Sequence, residues 1–151
     1  MTAPESKNRQ LVDGWCAHDR SMDDAAVEQF AAQWERAWNE QDLDGLLGHF
    51  SDDVLWTSPV AGQLVAGSGG VLKGKEALRA YFSQGMQPGR EVHFEVVGVY
   101  RGVGTIVINY RNQRGGLVNE VLVLGQDGRV SEGHATYLST GSAEQGLPGT
   151  G

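Results

Sequence analysis

Glu120 stands between Val118 and Leu122 in LVNEVLVL, a run otherwise suited to burial. A carboxyl among apolar neighbours either pairs with a cation or has its pKa pushed upward, and both outcomes are typical of a working site. Glu120 is therefore the most informative acid in the chain and a candidate for proton transfer. The alternatives are a structural ion pair with Arg111, or a position facing solvent or a dimer partner. His134, in EGHATY, carries an imidazole that titrates near neutral pH and could shuttle a proton, although a single strand histidine is more often structural. His49 and His93 fall in ordinary amphipathic positions.

Which side chains can meet Glu120 depends on strand register, because successive residues of a strand point to opposite faces. A two-residue turn at Gly115-Gly116 places Arg111 opposite Glu120 and Asn109 opposite Leu122, all four on one face. Sliding the turn to Arg114-Gly115 puts Asn109 opposite Glu120 and keeps that sorting. An odd-length loop would instead bring Tyr110 beside Glu120. Two-residue hairpin loops are the commonest, so the first sorting is expected. Asn109 and Arg111 then orient the carboxyl or stabilise developing negative charge. The same sorting sends Ile106, Ile108, Tyr110, Val121 and Val123 to the outer face, which would be unusually apolar for a solvated surface.

The elements that must position these groups are legible as patterns. Val27, Phe30, Ala31, Trp34 and Trp38 recur at steps of three and four and predict an amphipathic helix from Asp23 to Glu40, with Ser21 and Asp24 as its capping pair. Leu43, Leu46, Leu47 and Phe50 predict a short second helix. A strand follows from Asp53 to Ser58, closed by Pro59. Gly62 to Gly74 reads as a loop or weak hairpin, and Lys75 to Gln84 as a third helix. Strands are expected at Glu91 to Tyr100, Gly104 to Gln113, Leu117 to Gly125 and Arg129 to Leu138, joined by short glycine-bearing turns. Helices followed by a meander indicate an α+β fold with helices on one face of a curved antiparallel sheet. Residues 1–22 read as a flexible arm, 23–139 as one domain and 140–151 as a disordered tail. The stripe Phe30, Trp34 and Trp38 is core, and lines a cavity if the sheet curves away. Trp56 and Ser58 supply another wall.

Composition removes several classes. The 151 residues carry Lys+Arg 12 against Asp+Glu 19, a formal net charge of -7, which lacks the cationic surface of a nucleic-acid binder. No stretch approaches a membrane span. One cysteine, no N-glycosylation triplet and the polar opening MTAPESKNRQ point to a cytoplasmic protein. Cys16, His18 and Asp19 are metal-capable but have no second ligand cluster at structural-zinc spacing, so no metal is expected. Gly67 to Gly70 lacks the GK[ST] ending of a phosphate loop, and no G-x-S-x-G elbow is present. No cofactor is expected.

The runs WERAWNEQDLDGLLGHFSDDVLWTSPVAG, GKEALRAYF, FEVVGVY and NEVLVLGQDGRVSEGHATYL resemble the SnoaL-like proteins of the nuclear transport factor 2-like superfamily, over roughly Ala26 to Leu138. The resemblance implies a cystatin-like cone: a curved antiparallel sheet wrapped around three helices, enclosing an apolar pocket, commonly in a homodimer packed through its sheets. Ketosteroid isomerases, polyketide cyclases, epoxide hydrolases, dehydratases and non-catalytic domains share this fold, so fold alone does not choose. Compared with ketosteroid isomerase, Trp34 stands where that enzyme has its oxyanion-binding tyrosine, Ser58 where it has its catalytic aspartate, and Glu120 at its second oxyanion-site acid. A serine without a neighbouring base cannot abstract a carbon-bound proton, which leaves that role to Glu120. The same alignment points Gly133, Ala135 and Tyr137 inward and His134 outward.

The expectation is a dimeric protein whose cone binds a small, mostly apolar organic molecule. Its chemistry would be isomerisation, aldol-type cyclisation or dehydration. Glu120, Asn109, Arg111 and His134 are the candidate catalytic residues. Trp34, Trp38, Trp56, Ser58, Leu122 and Tyr137 are the candidate ligand-binding residues. The rival expectation is a non-catalytic binding or dimerisation module acting through the outer sheet face.

Overall fold

The stripe of Val27, Phe30, Ala31, Trp34, Ala37 and Trp38 is the buried face of helix α1, Asp24–Asn39, in a computed structural model that describes residues 22–139. The expected arm and tail, with Cys16, His18 and Asp19, lie outside the described residues except for Met22. Asp23 caps α1, its carboxylate accepting from the Ala26 amide at 2.8 Å, and Ser21 of the expected capping pair lies outside the described residues. The helix ends in paired bonds from the Gln41 amide to the Trp38 carbonyl and from the Asp42 amide to the Ala37 carbonyl. Gln41 takes the left-handed conformation that this termination requires, with φ 56°.

Asp42 then caps α2, Leu43–Leu47, by accepting from the Gly45 amide. Phe50 does not extend that helix but opens strand β1, Phe50–Thr57. Pro59 does not lead into a loop. It occupies the first turn of α3, Pro59–Leu64, where its missing N–H costs nothing, and Ser58 caps this helix through the Val60 and Ala61 amides. The glycine-rich segment that follows returns as β2, Val71–Lys73, antiparallel to β1, and leads into α4, Lys75–Gly85.

The meander is β3, Glu95–Gly102; β4, Thr105–Arg111; β5, Leu117–Leu124; and β6, Val130–Tyr137. Strand β3 starts later than its apolar pattern suggests because α1 holds the preceding backbone. The Asn39 amide bonds both the N–H and the C=O of Phe94, and Glu35 accepts from the Val96 amide. The sheet order is β2-β1-β6-β5-β4-β3. Its neighbours are antiparallel except β1 and β6, which run parallel, so the sheet is mixed rather than wholly antiparallel. The architecture is the expected α+β cone, with four helices among the described residues because α3 replaces part of the anticipated loop. No helix of the described residues is long and apolar enough to cross a membrane.

The β4–β5 hairpin corrects the expected register. Its loop has three residues, Gln113-Arg114-Gly115, with Gly115 at φ 83°, and it pairs Ile108 with Glu120 and Tyr110 with Val118. Asn112 fixes this choice. It is buried, and its side-chain oxygen accepts from the Arg114 and Gly116 amides at 3.0 Å each. Asn112→Ala leaves the buried Gly116 amide without that acceptor. It is expected to lower stability by about 1–3 kcal/mol, measured as a shift in the urea midpoint.

Candidate functional site

One residue of register decides the company Glu120 keeps. With Ile108 and Ala135 as its cross-strand neighbours and Val118 and Leu122 on its own strand, Glu120 faces the interior and is 4% exposed. Tyr110 shares this face and donates its hydroxyl to Glu120 Oε1 at 3.0 Å. The other carboxyl oxygen, Oε2, is buried without a partner. Burial pushes the Glu120 pKa up to about 7, and the Tyr110 hydrogen bond pulls it partly back.

Around this acid stand three phenols and a hydroxyl. Ser58 Oγ and Tyr81 Oη lie 3.3 Å apart, tying the start of α3 to α4. Tyr137 belongs to the same group: it senses the Glu120 charge and approaches Ser58, but its hydroxyl closes no hydrogen bond of acceptable geometry. Burial is the main cause that holds all three phenols above their ordinary pKa; negative charge on Glu120 adds to it. They are hydrogen-bond donors at any physiological pH.

An aromatic wall backs the acid. Trp34 contacts Tyr110 and Phe94 with ring centroids 4.8 and 5.6 Å away, and Trp38 packs on Phe82 and Phe94. Trp56 sits edge-on to Phe50 and Phe82. Its six-membered edge occupies the space left by the absent side chain of Gly133, where a Cβ would stand 2.5 Å from Trp56 Cζ3 and 3.3 Å from Leu122 Cδ2. The opposite edge carries Nε1, which is buried and unpartnered. Alanine in a strand ordinarily costs less than glycine. Gly133→Ala is nevertheless expected to destabilise the fold by about 1–3 kcal/mol, because the wedged indole must move. Denaturant unfolding with a shift in tryptophan emission checks this.

The structure thus brings together Glu120, Trp34, Trp38, Trp56, Ser58, Leu122 and Tyr137 on the interior, and separates the other three catalytic candidates from them. Asn109 is on the outer face, donating to Asn119 Oδ1 at 2.8 Å and to the Val118 carbonyl at 3.2 Å. Arg111 is exposed and donates to the Gly115 carbonyl at 3.0 Å. Neither can orient Glu120, because the three-residue loop reverses the parity of β4. His134 faces outward too, with Nδ1 2.6 Å from Thr57 Oγ1 and Nε2 2.6 Å from Glu132 Oε2. It joins β1 to β6 instead of serving the interior. The same parity change moves Ile106, Ile108 and Tyr110 from the outer face into the core, while Val121 and Val123 stay outside and half-buried.

Tyr81 is absent from the sequence-predicted site, and Tyr110 entered it only as the outcome of an odd-length loop, which is the outcome the structure has. The signal for Tyr110 lay in Asn112 and Gly115, which suit a three-residue loop; Tyr81 lay in the apolar stripe of α4 with Leu78 and Phe82. No group of three or more His, Cys, Asp or Glu among the described residues could hold a metal ion.

The chain matches none of the curated proteins. It is similar to the solved structure of a SnoaL-like protein of unknown function from Burkholderia thailandensis E264, with 35% identity and a TM-score of 0.73 over 79% of this chain and 99% of that one. An NTF2-like protein of unknown function from Cytophaga hutchinsonii ATCC 33406 has 10% identity and a TM-score of 0.57 over 74% of this chain and 89% of its own. SalBIII, an epoxide hydrolase/cyclase-like enzyme with a role in pyran ring formation in the polyether salinomycin, has 19% identity and a TM-score of 0.60 over 78% of this chain and 95% of its own. The last two likenesses show the fold. The SnoaL-like domain model matches residues 27–137, a span that holds every strand and every interior residue named above. The chain therefore belongs to the SnoaL-like family.

Proposed function

We propose that the cone holds a small, mostly apolar organic molecule and that Glu120 moves a proton on it without a cofactor. The observation that carries this reading is a buried carboxyl with one oxygen held by Tyr110, the other unpartnered, and a pKa of about 7. Near neutral pH such a group is present in comparable amounts as base and as acid. It can therefore take a proton from carbon and return it at a neighbouring atom. Tyr110 fixes Oε1, so Oε2 is the oxygen that exchanges the proton. The aromatic wall excludes water and keeps the carboxylate reactive. Isomerisation, aldol-type cyclisation and dehydration all need this step. The fold shared with SalBIII is compatible with such chemistry.

The same reading has the protein act as a cytoplasmic homodimer packed through the outer sheet face. Tyr100, Val107 and Val121 form a continuous row across three strands there, and Tyr100 is 62% exposed.

Base-promoted ring opening of 5-nitrobenzisoxazole tests the reading, since a desolvated carboxylate that reaches its carbon-bound proton removes it. The protein-dependent kcat/KM is expected to rise with pH to a plateau, with a midpoint of about 7. No protein-dependent rate, or a midpoint in the ordinary carboxylate range, contradicts it.

A further inference from the structure

We infer that the ligand of the cone is electrically neutral and presents oxygen acceptors to two fixed donors, the Tyr137 hydroxyl and the Trp56 indole N–H. This rests on the reading that the cone binds a small molecule, and adds which class of molecule it selects. Four buried side-chain polar atoms among the described residues lack a hydrogen-bond partner. One, Gln113 Oε1, is in the β4–β5 loop. The other three, Glu120 Oε2, Tyr137 Oη and Trp56 Nε1, belong to inward-facing residues of the sheet. Buried polar groups are almost always satisfied, so three unpartnered atoms on one interior face indicate that a guest supplies their partners.

The chemistry of that guest follows from the atoms. An indole N–H donates and never accepts, and Trp56 cannot turn away because its other edge is seated on Gly133. The Tyr137 phenol keeps its proton, held by burial and by Glu120. Two donors therefore await carbonyl, ether, epoxide or hydroxyl oxygens. The fully buried polar or charged residues among the described ones are Ser58, Asn112 and Glu120, with no lysine or arginine. An anionic guest would lose its hydration without a counter-charge and would face the Glu120 carboxylate. A cationic guest could use Glu120 but would set its own donors against Trp56 and Tyr137.

Four probes with one ring system separate these cases: 2-acetylnaphthalene, 2-naphthoate, 2-naphthylmethylammonium and unsubstituted naphthalene, titrated into the full chain by calorimetry. The ketone is expected to bind at least about tenfold more tightly than the anion and the cation. Trp56→Phe and Tyr137→Phe should each weaken the ketone about tenfold more than they weaken naphthalene, a difference that loss of folding would not produce. Naphthalene binding with no preference for the ketone, tighter binding of the anion or cation, or an unaltered ketone affinity in both variants overturns this inference alone. Failure of all four probes, naphthalene included, overturns the ligand-binding reading with it.

Discussion

Glu120→Gln is expected to lower the protein-dependent ring opening of 5-nitrobenzisoxazole by about 10²–10⁴-fold, the usual span for removing a positioned general base. Glutamine matches the carboxyl in shape and can still accept the Tyr110 hydroxyl through its carbonyl oxygen, so the aromatic wall and the hairpin register need not change. What disappears is the proton affinity of Oε2. Binding of the neutral probe should therefore persist while turnover fails, which separates a chemical role from a structural one. A variant that turns over at the parent rate removes Glu120 from the mechanism.

The same substitution should stabilise the protein at mildly alkaline pH. In the unfolded chain a glutamate ionises near 4.5, whereas Glu120 in the fold ionises at about 7 because burial disfavours its charge. Between those values the folded state keeps a proton that the unfolded state has released. Unfolding free energy therefore falls as pH rises through this window and levels off above about 7. The total loss is about 3 kcal/mol, from a shift of between two and three pKa units at about 1.4 kcal/mol each. Glutamine carries no charge at any pH, so its stability curve lacks this slope. At about pH 8 the variant is expected to be the more stable protein by up to about 3 kcal/mol. Urea unfolding of both proteins at about pH 5 and about pH 8 checks the sign. Equal slopes would show that Glu120 is not desolvated in the native state.

A site that costs stability at working pH is what a buried acid–base group looks like. The sequence made that group visible because a charged residue interrupts LVNEVLVL, and hydrophobic burial is the strongest pattern a chain carries. The helical stripe through Trp34 and Trp38 was legible for the same reason. Partners across strands were not, since register depends on loop length, and one residue moves a whole strand to the other face. Gln113-Arg114-Gly115-Gly116 could be cut as a two-residue turn at Gly115-Gly116 or Arg114-Gly115, or as a three-residue loop; Asn112, by taking two backbone amides on its side chain, settles it, and with it exchanges Arg111 and Asn109 for Tyr110 as the company of Glu120. The fate of Pro59 was hidden differently. A proline ends a strand and begins a helix equally well, and Ser58 before it tips the balance by capping α3. The parallel seam between β1 and β6 joins segments far apart in sequence, so no local pattern announces it, and His134 lies on that seam next to Thr57.

The central claim is that Glu120 is a buried carboxyl poised near neutrality. Carboxyl carbon NMR titration of glutamate-labelled protein, with the Glu120 signal assigned by its absence from Glu120→Gln, reads this directly. A midpoint of about 7 is expected. A midpoint near the ordinary glutamate value of about 4.5 would contradict it.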